Sequence, residues 1–176
     1  MHALHVVQGY YPWIGGSQRF FQEISERLVA AGHRVTVVTT DAGELEHFWS
    51  AGRCTVGPAE EVVGGVQVRR FPVRRRLSRP LLFSLYRFGM AMLSALPLDT
   101  TAILSRLARF TPVLPGYEAY LAQNAAAFDL VHGANITLDF MLAPALQMAR
   151  QGGIPFVVTP LTHPGAPGQR RVQRYY

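Results

Sequence analysis

Residues 4–7 are apolar but for His5, and from Phe20 onward apolar positions recur at i, i+4 and i+8 through Ile24 and Leu28. The first pattern has the length of a strand; the second marks one face of a helix, with Phe21 one step round. Gln22, Glu23, Glu26 and Arg27 fill the opposite face, and Glu23–Arg27 is an i,i+4 pair in the favourable order. Ser17 stands where an N-cap belongs and Gly32 where a helix commonly closes. Residues 34–40 (Arg-Val-Thr-Val-Val-Thr-Thr) form a β-branched run bounded by Gly32 and Gly43, which predicts a buried strand. Strand, glycine turn, helix and strand in succession make a βαβ unit with a right-handed crossover.

Further along, residues 41–65 are mostly polar and punctuated by glycine, which predicts a loop with one short helix near 45–50. Residues 66–73 alternate as a strand, placed near a sheet edge by Pro72. Helices are expected at 81–96, 102–110 and 117–127, with Pro112 and Pro115 interrupting the chain between the last two. Residues 128–133 read as a short buried strand. Thr137 is placed to cap a helix through residue 148, with Leu138, Leu142, Leu146 and Ala149 on one side; Pro144 must kink or restart it. Gly152 and Gly153 close that helix, and residues 154–159 give another parallel-type strand. The order predicts one α/β domain over residues 1–176, Rossmann-like, its mostly parallel sheet carrying helices on both faces. The last residues, 169–176, read as a helix just beginning, so more protein is expected to follow.

Composition narrows the chemistry. Hydrophobic residues make up 49% of the chain, which excludes a disordered polymer. All 17 basic residues are arginine against 11 acidic ones, for a net charge of +6. A GC-rich genome is a sufficient cause of that bias, but its consequence is firm: without lysine there is neither a Gly-Lys-Ser/Thr phosphate loop nor a Schiff base. The single cysteine, Cys54, allows no internal disulfide. The N-terminus lacks the basic region of a signal peptide. The most apolar stretch, residues 81–98, is broken by Arg87, Gly89 and Pro97 and is too short in its uncharged part to cross a bilayer. The expectation is a cytoplasmic protein, soluble or peripheral at the cytoplasmic membrane face. Arg69, Arg70, Arg74, Arg75, Arg76 and Arg79, beside that apolar helix, admit two readings: a contact with an anionic membrane surface, or a solvated loop leading into a core helix. No nucleic-acid-binding module is present.

The segment from Gly9 through Gly15, Gly16 and Ser17 is the most informative. It joins the first strand to the first helix, so it sets a helix N-terminus, with unpaired N–H groups and a positive dipole end, at the mouth of the sheet. That is a site for an anionic group, phosphate above all. The plainer reading is that the glycines let helix and sheet pack closely. A dinucleotide fingerprint is disfavoured, because its Gly-x-Gly-x-x-Gly spacing is not met; Asp41, at the place of the ribose-binding acid, weighs little without it.

Tyr11-Pro-Trp-Ile-Gly-Gly-Ser-Gln-Arg-Phe20 and Leu28-Val-Ala-Ala-Gly-His-Arg-Val-Thr-Val-Val-Thr-Thr40 resemble the N-terminal domain of family-4 retaining glycosyltransferases of the GT-B fold. Asp129-Leu-Val-His132, the strand at 154–159 and Pro160-Leu-Thr-His163 follow in the order of that family, so the resemblance covers nearly the whole chain. It implies sugar transfer from a nucleotide-sugar donor to a glycan, lipid-linked or small hydroxyl acceptor, with retention and with no metal or other cofactor. It also implies Gly15, Gly16 and Ser17 at the donor phosphates, His163 as the catalytic residue beside the transferring sugar, and Asn135 and Thr162 lining the cleft. The chain has no Asp-x-Asp to hold a diphosphate-bound cation, in keeping with this. His163, His132 and His33 each also admit the plain reading of a loop or strand-end histidine. Two features depart from the family: Gln18 stands where glutamate is common, with Arg19 in the first helical turn, and the second domain with its Glu-x7-Glu pair is not in these residues. The expectation is therefore little activity from this chain alone. The alternative is a non-catalytic binding module or one subunit of a split transferase.

Overall fold

In a computed structural model, which describes residues 1–13, 15–50, 55–134 and 139–161, the chain forms a layered α/β domain. In chain order the elements are β1 (His2–Val6), α1 (Gly16–Ala30), β2 (Arg34–Thr40), a 3-10 turn at Leu45–Phe48, β3 (Glu60–Val63) and β4 (Val66–Phe71). There follow α2 (Pro80–Ser94), α3 (Thr101–Ala108), α4 (Tyr117–Asn124) with a 3-10 turn at Ala125–Ala127, β5 (Leu130–Ala134), α5 (Asp139–Gly152) and β6 (Phe156–Thr159). The strands form one sheet in the order β3-β4-β2-β1-β5-β6, parallel throughout except for β3.

Strand alternation builds two cores. Leu4, Val6, Val38 and Val131 face the layer formed by α4 and α5, meeting Tyr117 and Met141 among others. Val7, Val35, Val37, Val66 and Val68 face α1, where Phe21 is fully buried. Helices thus cover both faces, as the near-continuous apolar strands require. The chain runs outward from β1 through β2 to β4, then crosses back to β5 and β6. The direction reverses between β1 and β5, which opens a crevice beyond their carboxyl ends, the place where such sheets take ligands.

The structure corrects the sequence reading in several places. The buried stripe of α1 is Phe21 and Ser25, with Leu28 packed alongside, whereas Phe20 is 38% exposed. Ser25 belongs there because its hydroxyl donates to the Phe21 carbonyl (2.6 Å) and meets His5 Nδ1 (2.8 Å). Ser17 is not the cap: α1 starts at Gly16, Gly15 occupies the N-cap, and no side chain caps the end. At the other end Gly32, at φ 82°, lets the Gly32 and His33 amides bond the Val29 and Leu28 carbonyls at 2.9 and 3.0 Å, a Schellman closure.

Part of the expected loop at 41–65 is the strand β3, paired antiparallel with β4 through Gly64 and Gly65, both at positive φ. That hairpin needs the left-handed conformation at both turn positions, which glycine takes without strain. With β3 outside it, β4 stands one strand in from the edge, near it as Pro72 led one to expect, and Pro72 falls just beyond its last residue. Among the described residues β6 is the other edge, and its Val157 and Val158 are exposed rather than buried. Helix α5 continues through Pro144; the Thr137 cap lies outside the described residues, as does Cys54.

Candidate functional site

The connection from β1 to α1 crosses the carboxyl edge of the sheet and is tied down on the way. The Val7 amide bonds the Val38 carbonyl (3.1 Å), and the Thr40 hydroxyl donates to the Gln8 carbonyl (2.6 Å). Trp13 folds back, its amide on the Tyr10 carbonyl (2.9 Å), with its ring against the α4–α5 core while Tyr10 is buried in the other. Burial pushes the Tyr10 phenol up to about 12. A side chain at Gly9 would place Cβ 2.2 Å from Trp13 Cε3, so glycine is needed for this close approach. The Tyr11 carbonyl accepts from Arg70 Nη2. Arg70 is itself buried, bonding the Pro58 carbonyl (3.0 Å) and pairing with the Glu61 carboxylate.

After these ties the chain enters α1 in the open. Gly15 is half-buried and Gly16 exposed, and a Cβ on Gly16 would have nothing within 4 Å. The first helical bond is Arg19 N–H to the Gly15 carbonyl (2.9 Å), so the Gly16, Ser17 and Gln18 amides precede the ladder. No acidic residue lies in the first turn. The Ser17 hydroxyl donates to Gln18 Oε1 (2.9 Å), and Arg19 pairs with Glu23 (3.0 Å), which draws its charge along the helix. The end of α1 is therefore an uncapped helix N-terminus, with Gly16 exposed, the Gln18 side chain lying over Gly15, and the positive end of the helix dipole behind it.

The sequence profile of the glycosyl transferase 4-like domain matches residues 15–176. The chain belongs to that family. A solved structure carries the same architecture: over 99% of this chain a sucrose-phosphate synthase from Thermosynechococcus elongatus aligns at 14% identity with a TM-score of 0.51. MurG from Acinetobacter baumannii aligns over 99% of the chain at 14% identity with a TM-score of 0.45. The chain spans 38% and 39% of those two proteins. No curated protein sequence matches it. This glycosyl transferase 4-like chain thus has the Rossmann-like fold of GT-B N-terminal domains.

The other candidates separate into three groups. His163, Thr162 and Asn135 lie outside the described residues. The histidine of the Asp-Leu-Val-His run in this glycosyl transferase 4-like domain does not face the crevice but sits under α1. His132 Nε2 meets Thr159 Oγ1 at 2.8 Å, and its ring lies 4.7 Å from that of Phe21 and 5.3 Å edge-on from that of His5. Burial lowers both imidazoles, His5 to about 4 with a smaller contribution from His132. His33 closes α1 through its amide. Asp41, far from a free ribose-binding acid, accepts the Val73 amide (3.0 Å) and faces His47 Nε2 at 3.7 Å, fastening the ends of β2 and β4 together.

The third group is the arginine run, which the fold disperses. Arg69 pairs with Glu60 (2.7 Å) and lies over the Tyr120 ring (4.5 Å), whereas Arg70 is buried under the loop and is not offered to a membrane surface. Arg75 donates to the His47 carbonyl and Arg76 lies over Phe110 (5.2 Å), while Arg74 and Arg79 are exposed. Sequence reasoning missed Arg70 as a support of the loop. The signal was available: Val66, Val68 and Arg70 alternate onto one face of β4, so Arg70 shares the side of two core valines.

Proposed function

We propose that this domain forms the acceptor-side wall of the cleft in a retaining, metal-independent sugar transferase that uses a nucleotide-sugar donor. The observation that carries the proposal is the uncapped N-terminus of α1, held at the switch point of the sheet by a loop tied to β2 and β4. In such a reaction negative charge grows on the leaving diphosphate. Fixed amide donors at Gly16, Ser17 and Gln18, with Gly16 giving close backbone approach, would stabilise that charge without reorganising. Arg70 acts one step back, as a positioning residue that holds the Tyr11 carbonyl and so the course of the loop. His163, Thr162 and Asn135 lie outside the described residues, and their roles are carried over from the family resemblance alone. We assign His163 to the reacting sugar and the other two to the cleft. A second domain of the kind the family carries would supply the opposite wall and with it the choice of nucleotide.

The test is an amide-resolved NMR titration of the chain with uridine and guanosine diphosphates and their sugars. Chemical-shift changes should concentrate at Gly15 to Gln18, with affinity no better than about millimolar because one wall alone engages the ligand. Gly16→Val should abolish them while leaving the rest of the spectrum in place. Shifts confined to other surfaces, or unaffected by Gly16→Val, would overturn the assignment.

A further inference from the structure

We propose that the outer face of α2, continued through residues 95–103, is a docking surface for bilayers rich in anionic lipid. The surface does not depend on the transferase reading. Helix α2 is apolar on two sides. Phe83, Met90 and Ala91 turn inward and are buried, yet Leu81, Leu85, Phe88 and Met92 on the opposite side are 70, 58, 62 and 51% exposed. Their spacing of four, three and four residues keeps them within an arc of about 60° on the helix. Leu96, Leu98 and Ile103, in the stretch that leads from α2 into α3, are exposed as well. An exposed apolar stripe such as that on α2 marks an interaction site.

Charge selects the occupant. Residues 73–116 hold seven arginines and one acid, Asp99, whereas the rest of the chain holds ten of each. The entire net charge of +6 therefore sits in the segment that carries the exposed patch, and α2 itself contains no acidic residue. A second copy would bring the same positive charge against it. A layer of anionic headgroups over hydrocarbon complements both properties at once, with arginines near the patch, such as the exposed Arg79 and Arg106, reaching phosphates while the apolar stripe enters the boundary. Among the described residues no helix is long and apolar enough to cross a membrane, so α2 would lie in the plane of the surface. Phe83 stacks on Trp49 at 5.7 Å, fixing α2 against the segment that follows β2 at the carboxyl edge of the sheet. Docking would therefore bring the crevice close to the headgroups.

The test is flotation of the 176-residue chain with phosphatidylcholine vesicles, alone or with about 30% phosphatidylglycerol. The chain should float with the anionic vesicles and not the neutral ones, and raising salt from about 0.1 M to about 0.5 M should weaken the binding. The double variant Leu85→Ser with Phe88→Ser removes only exposed side chains; it should keep its melting temperature and lose about tenfold in partitioning. Phe88→Trp should show a blue-shifted emission quenched by brominated lipid when anionic vesicles are added. Failure of the parent chain to bind anionic vesicles would overturn the proposal, as would unchanged partitioning of the double serine variant. So would concentration-dependent dimerisation that the serine variant abolishes and vesicles do not compete with. No nucleotide sugar enters the experiment, so its outcome is separate from that of the titration above.

Discussion

Gly9 and Gly16 lie in one connection and serve opposite needs. Gly9 makes room for the Trp13 ring at a distance no Cβ tolerates, whereas Gly16 faces open space. Gly9→Ala is therefore expected to cost about 1–3 kcal/mol through displacement of Trp13 from its packing. Gly16→Ala, at the first helical position, should leave the melting temperature nearly unchanged. Calorimetry of the two variants separates these roles, and equal melting temperatures would mean that Trp13 is not packed over Gly9. Arg70 is the other decisive residue. Its guanidinium serves the Tyr11 and Pro58 carbonyls and the Glu61 carboxylate from a buried position. Arg70→Met would leave all three without their donor, at a cost of about 3 kcal/mol, the lower end for a buried pair because Glu61 keeps some access to solvent. Arg70→Lys should recover only part of this, since a single ammonium cannot reproduce the planar fork. Urea denaturation distinguishes the two substitutions.

At the scale of elements, the histidines under α1 give the fold an acid-sensitive joint. His5 and His132 join β1 and β5 to α1 and β6 through Ser25 and Thr159. Burial lowers the His5 imidazole from the usual 6.5 to about 4, and shifts His132 and His2 in the same direction. The unfolded chain takes up a proton below pH 6.5 while folded His5 stays neutral until about 4, so stability is full above pH 6.5 and falls as pH drops through this window. For His5 alone the loss approaches about 3 kcal/mol. Urea midpoints between pH 7.5 and 4.5 should fall accordingly, and His5→Gln, less stable at neutral pH, should show a shallower slope. A flat profile for the parent chain across that interval would refute the linkage.

The same elements show what was legible in the chain. The β-branched run from Arg34 to Thr40 is a strand to the residue, because its sequence has one use. Helix α1 was legible in extent but misphased, since a serine that bonds within its own helix looks polar and packs as core. The edge strand β3 was hidden in an apparent loop: Glu-Glu-Val-Val is short and half polar, and only the Gly-Gly turn announces the hairpin. The glycine approach to α1 was readable as an uncapped helix start after the first strand, because that geometry is local. The burial of Arg70 was readable from its alternation with Val66 and Val68, but its partners Tyr11, Pro58 and Glu61 were not, since they depend on a placement of strand and loops that sequence neighbours do not display.

For the molecule as a whole, burial and charge divide along the same line. The strands β1 and β2 are sealed between two helical layers, with Leu4, Val6, Val37 and Val38 wholly inaccessible. Helices α2 and α3 instead rest on the domain through few buried side chains, among them Phe83, Met90, Ala91 and Ala108, and are clasped to each other by the Tyr86 hydroxyl on the Leu107 carbonyl (2.6 Å). Regions with so little buried surface open without global unfolding. Amides of α2 and α3 should accordingly exchange with deuterium at least about a hundredfold faster than those of β1 and β2. The residues that open most readily are those that carry the unbalanced positive charge and the exposed apolar stripe. Anionic vesicles should therefore slow exchange in α2 and α3 while leaving β1 and β2 unchanged. Protection of α2 equal to that of β1 in the free chain would show the helical pair to be an integral part of the core, and the division drawn here between a rigid sheet and a surface-binding projection would fail.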